Sequence, residues 1–378
     1  MNNGFIRFSI FLLIIFYDFI SGNDDFDYKI IKTNDISLEV KNYASGFDIP
    51  WGMTFLPDTS MLVTDLSGML FRVYQDGSKD IIDGVPDVFY KGQGGLLDVE
   101  IHPKYSENNF IFLAYSQPKW KKAFTAIARA KLIKNQLKDL KILYSSEEIH
   151  FSRKAHHFGS RIAIKDNYIF FSIGDRGERE EAQDLKTPNG KIHRLYLDGG
   201  IPNDNPFKLD NGQISSIWCY GNRNPQGLIF SKNGVLWELE HGPRGGDELN
   251  IIKKGLNYGW PKITYGINYI GTKISDHTHL DGMEQPIWHW TPSIAVCGME
   301  VYENSLIPSW NGDILVTSLK YEYLERVIID DGVRVSSEKI YEAGSRVRDV
   351  EIGPKGCIYV ALENPGRIVK ITPINDKN

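Results

Sequence analysis

The chain has 378 residues, with 43 Lys and Arg against 48 Asp and Glu and a formal net charge of −5. That balance speaks against a nucleic-acid binder, which needs a basic excess to neutralise phosphates, and 42% hydrophobic with 24% charged residues excludes a disordered or fibrous chain. The 35 Gly, 19 Tyr, 19 Phe and 8 Trp instead fit a large all-β protein of short aromatic strands and tight turns.

The N-terminal stretch MNNGFIRFSIFLLIIFYDFISG places Arg7 before an apolar run over residues 10–17, followed by Asp18 and the small pair Ser21-Gly22. This layout predicts a secretory signal over residues 1–22, and hence a periplasmic or secreted protein. The run is shorter than the roughly 20 apolar residues a bilayer span needs, and no later stretch reaches that length. A mature chain with no membrane span is expected. Cys219, Cys297 and Cys357 lie far apart with no C-x-x-C pair, which argues against a zinc or redox site; they read as small buried hydrophobes, with one disulfide and a free thiol as the alternative.

Beyond the signal, one pattern recurs: an apolar strand, a polar turn containing Pro, Asn, Asp or Gly, then an aromatic-rich strand. Copies begin at Trp51, Gly95, Ser160, Gln226, Gly298 and Val347. Several are followed by a further strand, as in KIHRLYL from Lys191 or YLERVII from Tyr323. Six copies spaced about 40 to 70 residues apart predict six radial four-stranded sheets, a six-bladed β-propeller over residues 30–375. The last copy has only about three strands before the chain ends, and ISLEVKNYA from Ile36 is a spare strand to close the ring. KLIKNQLKDLKILY from Lys131 reads either as a helix or as two strands around a turn. A pair of β-sandwiches is the competing architecture.

The loops between copies carry the candidate chemistry, since loops gathered on one face of a scaffold are where sites are built. Gln93 sits in a Gly-flanked turn, KGQGG. In AHHFGSRIAI, His157 enters a strand beside a glycine, where it reads either as a general base or as a surface or hydrogen-bonded structural histidine. His156 and His157 are adjacent, so in a strand they point to opposite sides and do not share a metal ion. GNRNPQG offers Arg223 and Asn224. HGPRGGDELN reads equally as a polar turn or as an ion loop, in which Gly242 and Pro243 free backbone carbonyls and Asp247 with Glu248 supply hard oxygens suited to calcium. Arg346 and Arg348 are two apart, so both face one side of a strand and repel unless an anion or a carboxylate lies between them. With Arg223 and Lys320 they suit a multiply anionic ligand; salt bridges to acidic loops such as EREE are the alternative. In PIWHWTPS, Trp288 and Trp290 are either sugar-stacking or packing residues.

Taken in order, GNRNPQG, HGPRGGDE followed by NYGWP, and R-V-R-D-V resemble the soluble PQQ-dependent glucose dehydrogenase and aldose sugar dehydrogenase family, from about Ile49 to Ile371. The compact loops look more like the aldose sugar dehydrogenase branch. The resemblance implies a six-bladed propeller that oxidises aldose sugars at C1 to the lactone and passes hydride to PQQ, then electrons to an external acceptor. It implies that His157 is the base and that Gln93, Arg223, Asn224, Tyr269, Lys320, Arg346 and Arg348 line the PQQ pocket. Arg223 would also polarise the quinone. It further implies that Gly242 and Pro243 give carbonyl ligands to a Ca2+ beside PQQ, and that Glu248 with the Tyr258 carbonyl forms a further calcium site. Two other readings stand beside it: a lactonase-type propeller hydrolase, which needs a central acidic cluster, and a non-catalytic sugar- or protein-binding propeller.

Overall fold

The computed structural model describes residues 28–374; the expected signal segment lies outside them. The strands form six sheets, five of four strands and one of five. The first blade runs through Pro50–Phe55, Met61–Asp65, Leu70–Val73 and Lys79–Ile81, and the second from Leu96–Ile101 to Gln136–Tyr144. The third runs from Ile162–Lys165 to Ile217–Tyr220, the fourth from Pro225–Phe230 to Trp288–Trp290, and the fifth from Val296–Val301 to Val333–Glu342. Each is an antiparallel meander, and the innermost strands pack against one another in ring order, the sixth against the first. This is a six-bladed propeller, not a pair of sandwiches.

Ring closure follows the expected device and extends it. The sixth blade has three strands from the C-terminus, Val347–Ile352, Ile358–Leu362 and Gly366–Pro373, and Ser37–Phe47 pairs antiparallel with the last of them. Lys29–Lys32 then adds a fifth strand outside Ser37–Phe47. Tying the N-terminal strand to the C-terminal one converts an open arc into a closed ring with no free sheet edges at the seam. The ambiguous segment after Lys131 resolves as strands, Lys122–Ile133 and Gln136–Tyr144. Lys134 takes φ 54° at the turn between them, and the apolar residues pack as a strand pair rather than a helix face.

The core lies between blades. Second strands such as Met61–Asp65, Leu236–Glu240 and Ile358–Leu362 are buried along their whole length, because a neighbouring blade covers each face. Leu62, Leu70, Leu96 and Leu113 fill the seam between the first and second blades. Phe112, Phe124, Ile169 and Phe171 fill the next, each such side chain contributing about 1.5–3 kcal/mol by leaving water. Cys219, Cys297 and Cys357 are buried and unpaired, as expected.

Down the axis the ring holds charge rather than apolar side chains. Arg161 pairs with Asp98 at 2.9 Å and Asp349 at 2.8 Å, and its guanidinium lies 4.3 Å from the Trp51 ring centre. Asp98 also accepts the Ile162 N–H and Asp349 the Met53 N–H, so these groups bolt four blades together. Glu100, Glu300 and Glu351 line a cavity of about 210 Å³ with them. Burial raises the pKa of all three, and the other channel carboxylates add to it. No motif in the sequence signals this acidic channel.

Candidate active site

Every innermost strand starts at one face of the ring, and every second strand returns to it. The segments before Leu96, Ile162, Pro225 and Val347, and those after Ile173, Glu240 and Ser318, therefore meet around one mouth. Gln93, His157, Arg223, Asn224, the 241–247 loop, Lys320 and Arg346 lie along these segments, and Arg348 is the second residue of the strand Val347–Ile352.

His157 sits at φ 55°, a left-handed conformation unusual for a residue with a side chain. Gln93 holds it there, its Oε1 accepting the His157 N–H at 2.7 Å. Across from it, Gly174 is required: a Cβ there would lie 2.4 Å from the His157 carbonyl oxygen. His157 Nδ1 is 2.6 Å from Asp175 Oδ1. Asp175 is buried, and burial opposes its ionisation. The hydrogen bond and charge of His157, the Arg223 charge and the Gly177 N–H outweigh that and hold its carboxyl below the usual range. An ionised carboxylate only accepts, which assigns the shared proton to His157 Nδ1 and leaves Nε2 as the acceptor. Burial, with Arg223 and His156 nearby, pushes the His157 pKa down to about 4 against the pull of Asp175, so the ring is a neutral base at neutral pH.

Arg223 is clamped at both backbone ends. Its carbonyl accepts the Asp175 N–H at 2.7 Å, its N–H donates to Glu240, and its Nη1 donates to the His241 carbonyl at 2.8 Å. Its Nε is buried without a partner. Asn224 is 2% exposed, and its Oδ1 accepts the Gly159 N–H at 3.1 Å, which anchors the entry to the third blade. Arg346 and Arg348 do face one side, and a carboxylate lies between them. It is Glu363 rather than the EREE loop: Arg346 Nε and Arg348 Nε each donate to it at 2.8 Å. One anion shared by two guanidiniums leaves the pair with net positive charge. Lys320 is exposed, its Nζ 3.3 Å from the Ser293 carbonyl. Tyr269 lies on a rim loop with its ring 70% exposed, its carbonyl accepting from Arg244.

His241 lies amid this set. Burial lowers its pKa well below the ordinary value, and the charges of Arg223, His157, Arg348 and Arg346 all act in the same direction. Its Nε2 is buried with no partner. An orphaned imidazole nitrogen and an orphaned Arg223 Nε, ringed by cationic groups, fit an anionic ligand such as PQQ with hydrogen-bonding oxygens.

The 241–247 loop is folded by Asp247, which is not free to bind metal. Its carboxylate accepts Gly242 N–H at 2.8 Å, Ser293 Oγ–H at 2.8 Å and Ala295 N–H at 2.7 Å. At Gly242 a Cβ would meet the Gly245 carbonyl oxygen at 2.0 Å, so only glycine permits the tight loop. Glu248 faces Glu240 across the strand pair, and both line a small cavity with Tyr258, Gly242 and Trp260. Burial raises the pKa of both carboxyls, Glu240 to about 7. Next to them, Glu238 Oε1 and Asn250 Oδ1 are buried oxygens without donors. Two glutamate carboxyls on a small void, with further under-compensated oxygens at neighbouring positions of the strand pair, suit a calcium ion.

Asp175, Glu240, Glu363 and Trp260 are not identified by sequence reasoning. Asp175 carried a signal in principle: it ends a strand one Gly after SI, at the same mouth as His157. Trp288 and Trp290 pack instead of stacking a sugar. Trp290 is buried with its Nε1 bonded to Glu325, and the Arg334 guanidinium covers Trp288 at 3.6 Å.

The chain matches the family described as Glucose / Sorbosone dehydrogenase over residues 47–370. It belongs to that family. It is 38% identical to the aldose sugar dehydrogenase YliI of Escherichia coli strain K12, over 90% of this chain and 94% of that protein. The crystal structure of the E. coli soluble aldose sugar dehydrogenase in its apo-form superimposes with a TM-score of 0.85 at 36% identity, covering 89% of this chain and all of the other. The PQQ-bound aldose sugar dehydrogenase of Streptomyces coelicolor superimposes at 0.74 with 25% identity, covering 89% and 98%. The family identifies this chain as an oxidoreductase acting on sugars. Among the described residues, no helix is long and apolar enough to cross a membrane.

Proposed function

We propose that this chain is a PQQ- and calcium-dependent dehydrogenase that oxidises aldose sugars at C1 to the lactone and delivers the electrons to an external acceptor outside the cytoplasm. The reading rests above all on one arrangement: a neutral His157 tied at 2.6 Å to an ionised Asp175, set within the Arg223, Arg346 and Arg348 group. Support also comes from the relative that is solved with PQQ bound.

In this reading Arg223, Lys320, Arg346 and Arg348 bind the cofactor carboxylates, with Gln93, Asn224 and Tyr269 beside them. The Gly242 and Pro243 carbonyls hold the calcium next to the cofactor. Glu248 and the Tyr258 carbonyl, joined by Glu240, hold the further one. Bound PQQ would supply the hydride acceptor, and calcium beside it would supply Lewis-acid assistance. His157 Nε2 takes the proton of the sugar C1 hydroxyl as the C1 hydrogen leaves as hydride, and Asp175 stabilises the imidazolium that forms. Arg223 offers positive charge to the oxygen that gains electron density.

The lactonase-type reading needs ionised channel carboxylates free to hold a metal, but Asp98 and Asp349 are engaged by Arg161 and backbone amides, and burial favours the neutral form of Glu100, Glu300 and Glu351. His157→Ala tests the proposal. Turnover should fall by about 10²–10⁴, the range of a general base, while PQQ affinity by equilibrium titration stays put. An unchanged rate rejects His157 as the base.

A further inference from the structure

Directly behind the base lies an indole. Trp260 Nε1 donates to Asp175 Oδ2 at 2.9 Å, on the oxygen that His157 does not use. Asp175 Oδ1 takes His157 Nδ1 at 2.6 Å and the Gly177 N–H at 2.7 Å. The Trp260 ring is buried, and its backbone is pinned at both ends: its N–H donates to the Gly221 carbonyl at 2.8 Å, and its carbonyl accepts Gln183 Nε2 at 2.7 Å. The Arg223 guanidinium lies 5.3 Å from the ring centre and that of Arg179 5.7 Å.

A buried carboxylate with an unmet oxygen turns to satisfy it, because a buried acceptor without a donor is costly. The indole N–H meets that need, fixing the carboxylate plane and directing Oδ1 at the imidazole. We infer that Trp260 is a positioning residue: it holds Asp175 so that His157 keeps its proton on Nδ1 and presents Nε2 to the substrate. The same ring underlies Arg223, so one buried side chain keeps the base and the principal cofactor-binding arginine in register. The catalytic half of this inference rests on the sugar-oxidation reading above; the geometric half does not.

The charged and titratable groups facing His157 are Asp175, Arg223, His156 and His241, with Arg176 and Lys154 acting on His156. Trp260→Phe keeps the aromatic face beneath Arg223 and removes only the N–H. Asp175 then places more of its charge on His157, which favours the imidazolium.

Two measurements on the full chain test this. In the apo protein, proton NMR should show a far-downfield His157 Nδ1–H resonance, assigned by its loss in His157→Ala, and Trp260→Phe should shift it. In the enzyme loaded with calcium and PQQ, Trp260→Phe should lower kcat about tenfold, the size of one hydrogen bond to a charged group. The acid limb of its pH–rate profile should move up by about half a unit, while KM for the sugar and PQQ affinity stay within about twofold. An unmoved resonance overturns the inference, as does a kcat loss matched by lost PQQ affinity. A resonance that Trp260→Phe does shift, together with a wild-type chain that oxidises no sugar, upholds the positioning and overturns the catalytic reading instead.

Discussion

In the proposed reading His157 works as a base only while neutral, and its surroundings favour that form. Burial and Arg223 lower its pKa to about 4 although Asp175 pulls the other way. The folded pKa lies below the ordinary histidine value of 6.5, so the stability from the neutral ring is present above that value and is lost as pH falls through the folded one. An NMR titration of the apo chain should therefore give a His157 midpoint well below 6.5, near 4. A midpoint at or above 6.5 contradicts the description of the base. At this scale the sequence was legible in part. His157, Arg223 and the Arg346–Arg348 pair stand out as polar groups beside glycines or just outside predicted strands, and the family resemblance gives them their roles. Asp175, Glu240 and Glu363 do not, because a single acidic residue has no meaning until the fold shows which side chain it meets. Asp247 read as a calcium ligand for the same reason, and only the structure shows its oxygens engaged by Gly242, Ser293 and Ala295.

Among elements, the 241–247 loop is the piece on which cofactor retention depends in the proposed reading. It is rigid without regular structure, because Asp247 gathers its donors and Gly242 lets the backbone pass within a Cβ radius of Gly245. Gly242→Ala should displace the loop and abolish calcium-dependent PQQ binding, with the far-UV circular dichroism spectrum unchanged. Calcium-dependent binding that survives in this variant would remove Gly242 from the ion's surroundings. Strands were the most legible elements, since each copy of the repeat supplies an apolar run bounded by turn residues. The fifth strand Lys29–Lys32 was not, because a mostly exposed four-residue edge carries no hydrophobic period.

For the whole molecule, repetition made the ring legible and left its axis hidden. Six similar segments imply six blades, and the unpaired strand at Ile36 implies closure. The acidic channel arises only when Asp98, Glu100, Glu300, Asp349 and Glu351, up to about 250 positions apart in the chain, converge on the axis. Burial pushes the Glu300 pKa up to about 8, so its contribution to stability is present below the ordinary carboxyl range and is lost as pH rises through that value. Glu300→Gln should thus gain Tm relative to wild type between pH 5 and pH 8, as followed by calorimetry; a pH-independent difference contradicts the raised pKa. The net charge of −5 conceals opposite fields, an acidic axis beneath a basic mouth. The basic mouth is the feature on which the proposed function rests. The most direct test mixes the purified chain with calcium and PQQ and follows reduction of an artificial electron-acceptor dye with a panel of aldoses. The expected result is dye reduction that requires sugar, PQQ and calcium together and is nearly lost in His157→Ala. Tight PQQ binding with no dye reduction by any aldose is the result that would contradict it.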